Sequence, residues 1–409
     1  MQLRQANKND AESIKKIHKE SSKEIGSFNL FYVWDNYLSK KANYKYYIFE
    51  ECCFVRCGYS NKYKSNIIHE IGVLKEHRGK GCAKRLIEIL DKPILLKCNL
   101  DNLNGNSFYE KIGMKKIGVA KTKNKKKINE CMGNYMSYAD YHNLSMEAKD
   151  VDPAILCLTY IADRFELNDS QRYWISFLYG TNYCAPTTFL MYNEFPDFEN
   201  VDINRLTKWW NVNKNGLIFQ TDRLRIKTSN EFIPSFVSYK NLTKGNQQEY
   251  FNKAKNWEQC YDRITSIKNF GRFSAFNYLD ILNQITDTKY SPAYLNMIEA
   301  ESCRKGLCYA IGKEDLVEKK LTKETANLLH NKFIEFLNTY QGNVYQIETT
   351  LCAYKKYRHN QRYVGYYIER MKKEIEKLQI SFANGIAWET LWQFRAEQFD
   401  KKFLTEFNK

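Results

Sequence analysis

The chain predicts two folds in succession: an α+β domain, a mixed twisted sheet with flanking helices, over residues 1–145, and a mainly α-helical domain over residues 151–409. Three observations carry this. Apolar runs of strand length alternate with amphipathic helical patterns through the first stretch. One of those strands, IIHEIGVL, runs straight into a basic turn that alternates glycine with charge. From Val151 onward the apolar period becomes that of a helix, and tyrosine and tryptophan become dense. At 409 residues there is length for two or three domains, each with its own core.

Taken in order, MQLRQ opens as a short strand, and Asn9 or Asp10 caps a helix carrying Ile14 and Ile17. YKYYIFEECCFVRCGYS reads as two strands joined by a short turn. NIIHEIGVL is another strand, apolar enough to be covered on both faces. After the turn Arg78-Gly79-Lys80-Gly81-Cys82-Ala83, the residues Leu86, Ile87 and Leu90 form a helical stripe. PILLKCNL is again a strand, and NGNSFYEKIGM is a short helix ending at Gly113. KKIGVAKT and INECMGNYMSYA form a hairpin around the basic turn 123–127. Farther on, RYWISFLYGTNYCAPTTFLMYNEF and ETANLLHNKFIEFLNTY show helical periodicity, with no internal repeat.

Composition narrows the class. A hydrophobic fraction of 43% with 15% aromatics excludes a largely disordered chain. No apolar run approaches the roughly 18 residues that would cross a bilayer, and the polar start lacks the apolar core of a signal peptide. A soluble protein of the cytoplasm, without a membrane partner, is expected. The 12 cysteines contain no Cys-x-x-Cys pair and the 6 histidines are scattered, so reduced, buried thiols and no metal are expected. The net charge of +16 points to an acidic partner, most often nucleic acid. Residues 1–150 hold 28 basic against 17 acidic side chains and so carry most of it.

The turn has its own chemistry. Gly79, Gly81 and Ala83 let main chain approach a ligand, and the following helix points its unpaired N–H groups at the same spot. Such a site suits a diphosphate. Arg78-x-x-Gly81-x-Ala83, followed after one strand by Asn102-x-x-Gly105-x-x-Phe108-Tyr109-Glu110-Lys111-x-Gly113-Met114, resembles the paired motifs of the GNAT acyltransferase family. Gly105, Met114 and Ala83 depart from the usual alanine, phenylalanine and glycine, and none of these changes removes a main-chain donor. The resemblance implies acetyl-CoA, or another acyl-CoA, as donor. Arg78, Gly79, Lys80, Gly81, Cys82 and Ala83 would hold its pyrophosphate, Val73 and Leu74 would pair with the pantetheine arm, and Asn102 would join the cofactor set. Tyr109 would protonate the departing thiolate. The acceptor amine must lose a proton, for which Glu70 or His69 on the central strand is a candidate, with Glu70 preferred.

Three constellations stand out beyond residue 151. Ile267-Lys268-Asn269-Phe270-Gly271-Arg272-Phe273-Ser274-Ala275 joins two helical stretches and resembles a helix-hairpin-helix turn. Arg358, Arg362, Tyr366 and Arg370 recur every four residues, as on one helix face that could grip phosphate and stack a base. Thr221-Asp222-Arg223 and Glu301-Ser302-x-Arg304-Lys305-Gly306 place charge among aromatics. With RYWISFLYGTNYCAPTTFLMYNEFPDF and ETTLCAYKKYRHNQRYVGYYIERMKKEI, these resemble the phage amino acid:DNA transferases, relatives of the alpha-glutamyl/putrescinyl thymine pyrophosphorylases. The resemblance implies a DNA-glycosylase-like helical fold in a bacterial or phage-infected cell. Its partner would be double-stranded DNA with a flipped base, and its co-substrate an amino acid or polyamine that replaces pyrophosphate on a 5-hydroxymethyluracil. That chemistry asks for cations on the leaving group, from Arg172, Arg223, Arg304, Arg362 or Arg370. It asks for an acid group on the amine, Asp222 or Glu348, and for aromatics around the base, Tyr363, Tyr366 or Trp174. A second organisation fits the same residues: an N-acetyltransferase for a protein or small-molecule amine, with the C-terminal half a DNA-binding or interaction module.

Overall fold

The first helix is set by the residues ahead of it. Asn7, rather than Asn9 or Asp10, is the cap: it opens a 3-10 turn, Lys8–Asp10, and Asp10 closes the capping box by accepting from the Asn7 N–H at 2.8 Å. Arg4 grips both Asp10 oxygens at 2.7 Å, which holds strand β1 (Leu3–Gln5) to the start of helix α1 (Ala11–Ile25). The computed structural model describes residues 3–25, 44–60, 65–121, 127–133, 135–220, 231–383 and 388–404. They fall into two units, Met1–Ser137 and Tyr138–Lys409.

The first unit is one seven-stranded sheet in the order β1-β2-β3-β4-β5-β7-β6. The further strands are β2 (Tyr44–Phe49), β3 (Cys53–Ser60), β4 (Ser65–Val73), β5 (Ile94–Asn99), β6 (Lys115–Lys121) and β7 (Lys127–Gly133). Helices α2 (Cys82–Glu88) and α3 (Leu103–Lys111) complete it. Every pairing is antiparallel except β4 with β5, which is parallel and spans only Asn66↔Ile94 to Ile68↔Leu96. Beyond that point the two strands part, and β4 continues to Val73 held by β3 alone. Ile14 and Ile17 of α1 and Leu86 of α2 are fully buried in the core with Phe54. The expected hairpin is β6–β7, but β7 stops at Gly133, opposite the first residue of β5, and Tyr138 already begins a helix. Its turn, 122–126, lies outside the described residues.

The second unit is helical: α4 (Tyr138–Glu147), α5 (Pro153–Arg164), α6 (Asp169–Asn182), α7 (Ala185–Glu194), α8 (Ile203–Asn213) and α9 (Phe232–Thr243) come first. They are followed by α10 (Gln247–Asn252), α11 (Trp257–Thr265), α12 (Arg272–Ile285), α13 (Glu301–Ala310), α14 (Lys323–Thr339), α15 (Val344–Arg358), α16 (Tyr366–Ser381) and α17 (Trp388–Gln398). None of the described helices is long and apolar enough to cross a membrane. Its core is aromatic, with Phe177 stacked 4.1 Å from Tyr239 and the Tyr239 and Tyr278 hydroxyls bonded at 2.8 Å. Gly306 lets α13 lie directly on α15, since a Cβ there would sit 2.0 Å from the Leu351 carbonyl oxygen.

One cap reaches across more than two hundred residues. Buried Asp150 accepts from the N–H groups of Gly365, Tyr367 and Ile368 at 2.8–3.0 Å, so the loop before α5 closes the start of α16. Replacing it by alanine strands three donors. Asp150→Ala is therefore expected to lower unfolding free energy by about 3 kcal/mol, read as a drop in the urea midpoint of the full chain.

Candidate active sites

In the first unit the glycine turn is built by backbone conformation rather than by lack of space. Gly79 and Gly81 have φ of +80° and +82°, and a Cβ at either would meet nothing within 4 Å. Only glycine adopts such angles without strain, so their role is to bend the chain at the foot of α2. The N–H groups of Cys82 and Ala83 open that helix and have no main-chain acceptor among the described residues. The side chain of Arg78 faces the other way, donating to the carbonyls of Val73 at 3.2 Å and Glu20 at 3.3 Å. Leu74 is also engaged, its N–H on the Cys52 carbonyl at 2.9 Å and its carbonyl taking the His77 N–H at 2.9 Å. The edge left open where β4 and β5 part is the stretch an extended arm could pair with.

Tyr109 lines a cavity of about 450 Å³ with Asn106, Glu110, Met114, Asn129 and Cys131. Its carbonyl takes the Met114 N–H at 3.0 Å while Gly113, at φ +84°, ends α3, so helix end and ring are placed together. Burial, with Cys98 and Cys131 adding to it, pushes its hydroxyl pKa up, which keeps the proton on the oxygen. Asn102 caps α3 by accepting from Gly105 at 2.8 Å, and a Cβ at Gly105 would lie 2.7 Å from its amide. That close approach explains glycine where alanine is usual.

Glu70 stands directly across from Arg56 and pairs with it at 2.9 Å. Burial raises its pKa and the arginine pulls it back. Its second oxygen is buried and makes no hydrogen bond among the described residues. His69 is the extra residue of a β-bulge, which interrupts the alternation that would set it opposite Glu70. It keeps solvent access and packs edge-on to Tyr44, while crowding, Arg56 and Lys97 lower its pKa to about 4.

In the helical unit a set of charges converges that the sequence pattern only half announces. Asp152 at the start of α5, Asp280 in the middle of α12 and Glu348 in the first turns of α15 act on one another electrostatically, and Arg370 of α16 acts on Asp152. Tyr183, in a left-handed turn at the end of α6, feels all four of these charges. Asp280 accepts a hydrogen bond from the Gln284 amide at 2.8 Å, and Glu348 accepts from the Cys352 thiol at 2.9 Å. Asp152 is half-buried, and its Oδ2 is shielded from solvent with no hydrogen-bond partner among the described residues. Burial pushes Asp280 up to about 7, with Glu348 adding to the effect, and it pushes Asp152 well above the usual carboxylate range, with Asp280 next.

The arginines answer that acidity. Arg370 pairs with Glu374 at 3.0 Å and lies 4.9 Å over the Tyr367 ring. Arg362 lies over the same ring at 4.3 Å and over Tyr366 at 4.9 Å. Its pKa is lowered by burial and then by Arg370, so two guanidinium groups share one region with no carboxylate bonded to Arg362 among the described residues.

Several expected residues land elsewhere. Arg358 and Arg370 do not share a helix: α15 ends at Arg358, Asn360 and Gly365 turn left-handed at φ +59° and +94°, and α16 starts at Tyr366. Arg358 pairs instead with Glu314 and lies over Tyr309. Trp174 is wholly buried with its indole N–H on the Phe195 carbonyl, so it packs the core and holds no base. Arg172 ties the carbonyls of Leu167, Ile285 and Ala162 together. Arg304 donates to those of Met297 and Ile298. Tyr363 hydrogen-bonds Glu369. Asp222 and Arg223 lie outside the described residues. The turn 266–271 does join α11 to α12, with Asn269 left-handed at φ +68° and the Lys268 N–H already on the Ser238 hydroxyl at 3.0 Å. Asp280 escaped notice although AFNYLDIL announces it: a carboxylate inside an apolar helix run is a buried charge in need of a reason.

Residues 148–363 match the family described as amino acid:DNA transferase. A serinyltransferase of Salmonella phage ViI is 25% identical over 325 residues, covering 71% of this chain and 77% of that protein. Among solved structures, a spermidine N-acetyltransferase chimera from Vibrio cholerae matches 32% of this chain and 95% of its own at 17% identity, TM-score 0.27. The ribosomal-protein-S18-alanine N-acetyltransferase from Escherichia coli matches 32% of this chain and 90% of its own at 12% identity, TM-score 0.25.

The raised carboxylates have a consequence for stability. Asp280 moves from an ordinary 3.8 to about 7 on folding, so the folded state holds its proton to higher pH. Its contribution to stability is therefore full below 3.8 and is lost as pH rises through about 7. Asp150, also near 7 through burial, acts in the same direction. The thermal midpoint should fall between pH 5 and pH 7.5, and Asp280→Asn should flatten that fall, as differential scanning calorimetry would read.

Proposed function

The chain belongs to the amino acid:DNA transferase family, and from that premise we propose that its helical unit joins an amine to a base in DNA. The single observation that carries the reading is the cluster of Asp152, Asp280 and Glu348 beside Arg370, which lies mostly inside the matched segment. The acceptor is a uracil whose 5-hydroxymethyl group is pyrophosphorylated. The amine of an amino acid or polyamine attacks that methylene carbon, a C–N bond forms, the C–O bond breaks and pyrophosphate leaves with the bonding pair. Asp280 or Asp152 takes the proton the nitrogen sheds. A carboxylate with a pKa near 7 does this better than an ordinary one, because its proton affinity is closer to that of the amine. Arg362 and Arg370 offset charge building on the leaving group. The base leaves the duplex to be reached, since a stacked base exposes no methylene to a recessed site.

The first unit acts as an acyl-CoA-dependent N-acyltransferase. Support comes from the paired motifs, the left-handed glycines at the foot of α2 and the parting of β4 from β5. Main-chain N–H groups from Gly79 to Ala83 receive the pyrophosphate, and Tyr109, which retains its proton, donates it to the thiolate. Glu70 takes the acceptor's proton directly or through a water.

Nucleoside mass spectrometry of DNA from cells that make the activated base tests both halves. Wild-type chain adds the amine and its acyl derivative. Asp280→Asn and Arg370→Gln lower amine transfer at least a hundredfold, while Tyr109→Phe keeps it and lowers acylation of an amine substrate by one to two orders of magnitude. An unchanged base with wild-type chain, at full DNA and amine supply, rejects the first reading.

A further inference from the structure

Three segments far apart in sequence meet beneath the glycine turn. Glu50 and Glu51, both left-handed at φ +47° and +52°, fold the β2–β3 connection so that Cys52 faces inward. Leu74 donates to the Cys52 carbonyl at 2.9 Å, which fastens the end of β4 to that connection. The 3-10 turn Lys75–His77 and the glycine turn then carry the chain round to Cys82, the first residue of α2. One ring nitrogen of His77 and the sulfurs of Cys52 and Cys82 lie within 4.8 Å of one another. The thiols are 2% and 6% exposed by residue, and the imidazole is about one-third exposed.

We propose that Cys52, His77 and Cys82 form a binding site for a thiophilic divalent cation, zinc by donor set. Two sulfurs and an imidazole are the ligands zinc prefers over the hard cations, which take oxygen. Tetrahedral zinc holds its sulfurs about 3.8 Å apart, so closing the present spacing asks for less than about an ångström of movement. The thiols now give their hydrogens to the carbonyls of Phe49 and His77, at 3.3 and 3.8 Å. On binding, both leave as protons and two S–metal bonds replace those weak contacts. Water takes the fourth position on the exposed side, where the Glu76 carboxylate stands 3.7 Å from His77 Nε2. Such a three-ligand site exchanges its metal, and it links the β2–β3 connection, the 3-10 turn and α2 at one point. Loading it stiffens residues 78–83, whatever those residues hold.

Cobalt titration of the full, reduced and chelator-stripped chain is the test. The expected result is one cobalt per chain, with thiolate charge-transfer absorption and tetrahedral visible bands that zinc abolishes. Cys52→Ser and Cys82→Ser remove the bands. His77→Gln, at a residue exposed enough to leave folding intact, weakens binding about tenfold or more. Cys131→Ser, at a thiol neighbouring Cys98 elsewhere in the sheet, leaves the bands in place. Hydrogen exchange at 78–83 slows on loading. No cobalt absorption from a wild-type chain whose thiols all titrate overturns the proposal, as do bands that survive His77→Gln and Cys82→Ser with unchanged affinity.

Discussion

The helical unit depends on how it accommodates charge that folding has taken out of water. Isolated charges at that depth are strongly disfavoured, and two of the most deeply buried have an identifiable compensation. Asp150 is met by three amides at the head of α16, and Arg395, wholly buried, donates to the Ile368 carbonyl at 2.6 Å. Both hold the same helix end, so α16 is located by charge rather than by its apolar stripe alone. Once it is located, Arg370 and Glu374 are fixed on its next turns and Arg362 on the loop before it. Asp152 is compensated less completely, since its Oδ2 is shielded from solvent with no hydrogen-bond partner among the described residues.

In the first unit the equivalent constraint is a missing pairing. Parallel strands ordinarily stay in register along their shared length, yet β4 and β5 separate after three residue pairs. The bulge at His69 falls at that place, adding twist to β4 on its β3 side as its β5 side opens. The left-handed glycines follow at the end of the same strand. Opening and turn thus follow one another along the chain, and the main-chain donors of α2 come directly after the turn.

What could be read in the sequence follows from how local its causes are. The strands, the glycine turn and the end of α3 are local: Gly79, Gly81 and Gly113 act on residues within one turn of themselves, so their spacing was sufficient. The Arg358–Arg370 spacing failed because a four-residue repeat says nothing about Asn360 and Gly365, which end one helix and start another between its members. Trp174 and Arg172 were misplaced for a similar reason, since a side chain's type does not disclose whether its partner is a ligand or a carbonyl of its own core. The carboxylate cluster is assembled from α5, α12 and α15, whose members Asp152, Asp280 and Glu348 span almost two hundred residues, and no window along the chain contains it. Glu348 was named as a candidate acid, and Asp280 left a mark of its own, as a charge amid Leu279, Ile281 and Leu282.

The chemistry of the two units bears on the order in which they could act on one base. On the proposed reactions both would need an amine stripped of its proton, and would meet that need differently: the helical unit with carboxylates raised toward neutrality by burial, the sheet unit with Glu70, whose rise is opposed by Arg56. An amine that has displaced pyrophosphate from the base becomes secondary and more hindered, and acyl transfer to it is slow unless the donor brought a second nucleophile. A donor with two amines, or an amine and a hydroxyl, therefore suits a sequence in which substitution comes first and acylation second. The reverse order consumes an amine before it can attack, because an amide nitrogen has lost the lone pair that substitution requires. On this chemistry a donor with one amine separates the two activities, and a bifunctional donor joins them.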